Sequence, residues 1–77
     1  MMESEQSILT IINSIRVAKG ENPMMVLKEE NRLREDLGLT SFDLAELTVN
    51  IEDEYGIDIF EDGLVNTIGE IYAKLQK

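Results

Sequence analysis

The sequence predicts a small all-α fold: a bundle of four helices, three longer and one short, with a long connection after the first. Three observations carry this expectation. Apolar residues recur at spacings of three and four in three separate stretches, as one face of a helix requires. Each stretch opens on a residue suited to capping (Ser4, Thr40, Thr67), and two of them close on glycine (Gly20, Gly56). The chain has 77 residues, 43% of them apolar, which suffices for one small helical core and one domain over 1–77. A chain of this size buries only about 60% of its unfolded surface, so its stability should be modest.

The first helix is expected over about 4–18. Ser4 can cap it, Glu5 suits its positive end, and Ile8, Ile11, Ile12 and Ile15 form its buried face. Arg16 and Lys19 sit where positive charge favours a helix C-terminus, Gly20 is a C′ stop, and Pro23 confirms the break. Residues 21–39 then make a connection too apolar to be a solvated linker, with Met24, Met25, Val26, Leu27, Leu33, Leu37 and Leu39. Loops of this length are uncommon unless functional or packed. It reads as a packed loop with its leucines over the bundle and one helical turn near Met24–Lys28. Lys28, Arg32 and Arg34 are expected to offset neighbouring acids, and no anion site is read among them.

A second helix is expected over 41–55, ended by Gly56, with Thr40 and Asp43 as a capping box. A short third helix follows at about 61–66. The last, over 67–76, starts with a second capping box, Thr67 with Glu70, and buries Ile68, Ile71, Tyr72 and Leu75. Such elements, joined by one long and several brief connections, make a small bundle.

The second helix carries two apolar stripes where folding alone needs one. At about 100° per residue, Leu44, Leu47, Ile51 and Tyr55 fall on one side. Phe42, Ala45 and Val49 fall together on another side, flanked by Glu46, Glu52 and Asp53. The second stripe therefore reads as an exposed apolar strip with an acidic rim, starting beside Ser41.

Residues 35–47, EDLGLTSFDLAEL, followed by IEDEYGIDI, resemble the acyl carrier protein family around its phosphopantetheine-attachment serine. The similarity runs from the first helix to Leu75, and its specific part is the central stretch. Thr40 stands where the family usually has Asp, and Phe42 where it has Leu, Met or Ile; Ser41 itself is kept. The resemblance implies a helical bundle of the acyl carrier protein type. It also implies that a phosphopantetheinyl transferase moves 4′-phosphopantetheine from coenzyme A onto Ser41, using Mg²⁺, which makes the chain a phosphoprotein. The arm's thiol would hold an acyl or aminoacyl group as a thioester and deliver it to partner enzymes. Glu46, Glu52 and Asp53 match acidic positions that the family offers to basic partner surfaces, with Phe42, Ala45 and Val49 as the apolar contacts. Thr40 keeps the helix cap but drops one negative charge, and Phe42 widens the apolar contact, changes that suit a dedicated pathway. The cargo stays open between fatty acid biosynthesis, polyketide and stand-alone aminoacyl chemistry. Loading ligases or synthases with basic patches are the expected partners.

The residues themselves favour a recipient over a catalyst. No His is present, so the commonest activating base for a serine nucleophile is missing. No Cys is present, which excludes a disulfide framework and thiolate metal sites. An EF-hand loop begun at Asp58 would place Phe60 third and Gly69 twelfth, and so fails. No phosphate-binding glycine motif occurs. The expectation is a protein that is not an enzyme and binds no metal. From Glu35 to Ala73 there are eleven acids and no Lys or Arg, within a net charge of −9. That field repels nucleic acid and attracts basic protein patches. The alternative to a carrier is an unmodified acidic helical adaptor that binds partners through its second helix. No membrane span is expected, and the polar N-terminus is unlike a secretory leader. The expectation is a freestanding, monomeric, cytoplasmic protein.

Overall fold

The computed structural model describes residues 3–75 and places three helices in them: α1 (Glu3–Ala18), α2 (Ser41–Tyr55) and α3 (Ile68–Leu75). Among the described residues there are no strands, only an isolated antiparallel bridge between Arg32 and Thr67. The backbone is helical from Glu3, so Ser4 lies inside the first turn rather than before it. The expected last-helix residue 76 lies outside the described residues.

α1 buries Ile8, Ile12 and Ile15 and half-buries Ile11, the face its spacing predicts. Its end is a Schellman closure. The Glu21 N–H reaches the Arg16 carbonyl at 2.9 Å and the Gly20 N–H reaches that of Val17 at 3.0 Å. Gly20 adopts φ 88°, a left-handed conformation that costs a residue without Cβ nothing. α2 packs mainly on α1, and Leu47 and Ile51 are fully buried between them and the rest of the core. Each such side chain contributes about 1.5–3 kcal/mol by leaving water. α3 buries Ile68, Ile71 and Tyr72, and its start carries the expected box: the Glu70 N–H donates to Thr67 Oγ1 at 3.2 Å, and the Thr67 N–H donates to Glu70 Oε1 at 3.0 Å.

The long connection is part of the core. Leu33, Leu37 and Leu39 are buried, and Met24 and Leu27 pack against the cluster. Met25 and Val26 depart from expectation, being 91% and 58% exposed. The connection is also hydrogen-bonded to the start of α3: Leu33 N–H to the Asn66 carbonyl, Ile68 N–H to that of Asn31, and Gly69 N–H to that of Glu29. Its helical turn is not at 24–28 but further on. There the Asp36 and Leu37 N–H groups bond to the Arg32 carbonyl, and the Gly38 N–H to that of Arg34. Asp36 stabilises this turn by accepting from the Arg32 backbone N–H as well as from its guanidinium.

The short helix expected at 61–66 is absent. Residues 59–63 form tight turns instead, in which Asp58 accepts the Phe60 N–H and the Gly63 N–H closes on the Phe60 carbonyl. Gly63 adopts φ 137°, a region open essentially to glycine alone and incompatible with a helix. What holds this segment is burial of Ile59 and Val65 in the common core, not helical hydrogen bonding. Every buried residue among those described is apolar. Among the described residues no helix is long and apolar enough to cross a membrane.

Candidate functional site

Ser41 is the first residue of α2 and is exposed. Its place is set by the cap before it. Thr40 is extended (φ −86°, ψ 173°), its Oγ1 accepts the Asp43 N–H at 3.1 Å, and its own N–H donates to Asp43 Oδ2 at 2.9 Å. This reciprocal pair satisfies two of the donors that a helix start leaves unpaired. The hydroxyl of the next residue is therefore free of capping duty and stands at the surface.

Three cations converge on this corner, none of them from α2. Lys19 Nζ lies 2.6 Å from Asp43 Oδ2 and 2.8 Å from the Gly38 carbonyl. Arg16 donates to the Leu37 and Asn22 carbonyls and pairs with Glu21 at 3.2 Å. Both residues, expected to serve the end of α1, also fasten the loop that leads into α2. Arg34 Nη2 donates to Ser41 Oγ at 2.9 Å. The Lys19 ammonium, and after it the Thr40 backbone N–H, hold the Asp43 carboxyl below its ordinary pKa.

The two stripes of α2 lie as expected. Leu47 and Ile51 are buried, with Leu44 and Tyr55 half-buried beside them. Phe42 is 83% exposed, Val49 is 56% exposed, and Ala45, Glu46, Glu52 and Asp53 are exposed too. An apolar strip rimmed by acids therefore starts at Ser41 and runs along the outside of the helix. Arg34 was not legible as part of the site from spacing, because its approach depends on how the turn at 32–38 folds back. The available signal is that it is the last cation before the base-free run.

The chemistry open to this corner is narrow. The hydrogen bond of Ser41 Oγ among the described residues is one it accepts, from a guanidinium that cannot act as a base. Asp43, the acid nearest in sequence, is engaged by Lys19 and by the cap. No group of three or more acidic side chains, among the described residues, could hold a metal ion. The hydroxyl is thus presented, with no activating base beside it among the described residues. A phosphoryl group joined there would meet an open surface, an arginine and the positive end of a helix.

Comparison with known proteins places the chain in a family. A family model described as "Phosphopantetheine attachment site" matches residues 24–75. The chain is 31% identical to the acyl carrier protein of Thermotoga maritima over 99% of its own length and 96% of the relative's. It is 31% identical to the meromycolate extension acyl carrier protein of Mycolicibacterium aurum over 100% of its length and 81% of the relative's. An acyl carrier protein of Saccharopolyspora erythraea is 41% identical over 64% of this chain and 54% of the relative. No solved structure gives a significant match. The chain belongs to the acyl carrier protein family, whose members are carriers rather than enzymes and bind 4′-phosphopantetheine covalently.

Proposed function

We propose that Ser41 is the attachment point of 4′-phosphopantetheine and that the protein delivers acyl or aminoacyl groups to partner enzymes. One observation carries the reading: the Ser41 hydroxyl is exposed at the first position of α2, outside the cap and, among the described residues, with no base beside it. A phosphopantetheinyl transferase must then supply the base and bind Mg²⁺ and coenzyme A, whose pyrophosphate bond breaks as the Ser41 ester forms and whose adenosine 3′,5′-bisphosphate half leaves. When bound, the arm provides a terminal thiol that holds cargo as a thioester, a function this cysteine-free chain lacks. The chain's own residues supply presentation. Thr40 and Asp43 fix the helix start, and Phe42, Ala45 and Val49 offer an apolar strip. Glu46, Glu52 and Asp53 steer enzymes with basic patches, raising encounter rate and selectivity more than affinity.

The packing favours short cargo. Leu47, Ile51 and Ile71 fill the space between the helices, and all three are inaccessible to solvent. A cleft of about 90 Å³ lies elsewhere, between α1, the long connection and α3, lined in part by Leu9, Met25, Leu27 and Tyr72. A relative named for meromycolate extension does not transfer that cargo to this chain, because a long acyl chain would have to displace these core side chains. Protection of a long-chain thioester from solvent, detected by NMR, would overturn the short-cargo reading.

Intact mass after incubation with coenzyme A, Mg²⁺ and a phosphopantetheinyl transferase tests the attachment. A gain of one phosphopantetheine, lost in Ser41→Ala, is expected. No gain with several transferases would leave an unmodified adaptor as the function.

A further inference from the structure

We propose that Arg34 is the positioning residue for the phosphodiester through which the arm joins Ser41. The inference rests on the reading of Ser41 as the attachment point and adds a second residue to it. The guanidinium lies 2.9 Å from Ser41 Oγ, the atom on which the ester would form. The neighbouring cations are already engaged: Lys19 with Asp43, and Arg16 with Glu21 and two backbone carbonyls. Among the described residues Arg34 makes no ion pair, so its charge remains uncompensated beside the serine.

Arg34 is also held. Its carbonyl accepts the Gly38 N–H, and Leu33 and Leu37 on either side are buried. Arg32 and Asp36 brace the same turn through three hydrogen bonds. The backbone that carries the guanidinium is thereby fixed relative to the start of α2, where Lys19 bridges Gly38 and Asp43.

The chemistry follows from what esterification does to the oxygen. Ser41 Oγ becomes a bridging ester oxygen, without a proton and a poorer acceptor. The negative charge sits one bond further out, on the non-bridging oxygens. A guanidinium offers five donors in a planar fork that matches those oxygens, and charge-assisted pairs of this kind are stronger than neutral ones. A lysine would supply the charge without the fork. In a chain of net charge −9, an added phosphodiester would otherwise face acids alone along the following helix. The hydrogen bond now made to Oγ is therefore the precursor of an arginine–phosphate pair at the root of the arm.

Phosphorus NMR of the loaded protein tests this. Wild type, Arg34→Gln and Arg34→Lys are loaded from coenzyme A and measured folded, then again in urea. In the folded wild type the phosphodiester resonance should be shifted and broadened relative to its urea position. Arg34→Gln should move it toward the urea position with a narrower line, and Arg34→Lys should fall between the two. The melting curve of unloaded Arg34→Gln should match wild type, since the side chain is exposed. Identical phosphorus signals in wild type and Arg34→Gln would overturn the assignment while leaving Ser41 as the attachment point. Failure of the wild type to load would overturn both.

Discussion

The two long sides of α2 are chemically alike and have opposite fates. Leu47 and Ile51 are fully buried, whereas Phe42 and Val49, equally apolar, keep 83% and 56% of their surface. Residue type does not decide which side is sealed. α1 and the buried leucines of the long connection cover the first side, and the second is left bare between acids that no base on the helix neutralises. On the proposed function, the uncovered apolar strip next to an exposed serine is the surface offered to a partner. The sealed side is the one that stabilises the helix.

The largest effect that would sharpen this contrast is on stability. Leu47→Ala should cost about 2–5 kcal/mol, read as a lower denaturant midpoint, because it leaves a cavity in a core that cannot collapse fully. Next, Thr40→Ala should cost about 1 kcal/mol by removing half of the capping box, with the α2 amide protons exchanging faster near the start of the helix. Acid should act through both capping boxes, at the starts of α2 and α3. The carboxyls of Asp43 and Glu70 are both held below their ordinary values, Asp43 chiefly by Lys19 and Glu70 by the Asn66 and Thr67 backbone N–H groups. Their stabilisation is present above the unfolded carboxylate pKa, about 4, and is lost as pH falls through the lower folded values. Denaturant midpoints should therefore hold from neutrality down to about pH 5 and fall below about pH 4, less steeply in Asp43→Asn. The smallest change in stability belongs to the bare side: Phe42→Ala should alter it by no more than about 0.5 kcal/mol. Loading by a transferase should nonetheless slow by roughly 5- to 30-fold if Phe42 is an anchor in the contact. A large loss of stability in Phe42→Ala, with loading unchanged, would break the comparison.

Much of this corner was legible before any coordinates. The capping box of Thr40 and Asp43, the span 41–55, the stop at Gly20 and the opposed stripes of α2 are all local, set by residues within one or two turns of each other. The stretch 61–66 departs from its expected helix for the opposite reason. Its letters do not forbid a helix, and the choice was made by Asp58 taking the Phe60 N–H, by the conformation of Gly63, and by burial of Ile59 and Val65. The helical turn in the long connection was displaced from 24–28 to the segment after Arg32 for a similar cause. There Asp36 caps the backbone and Leu33 and Leu37 find the core, while Met25 faces water.

By itself the sequence determined where α2 starts and stops, where α1 ends, the capping box that opens α3, which side of α2 could be buried, and that Ser41 would stand at a helix start. These depend on caps, glycines and periodicity, whose interactions act over a few residues. Only the tertiary structure decided which cations meet the serine. Lys19 reaches Asp43 across 24 positions of chain, and Arg34 reaches Ser41 because an intervening turn reverses on two buried leucines. Spacing in the chain carries no distance through a loop; packing of the loop against the core supplies it.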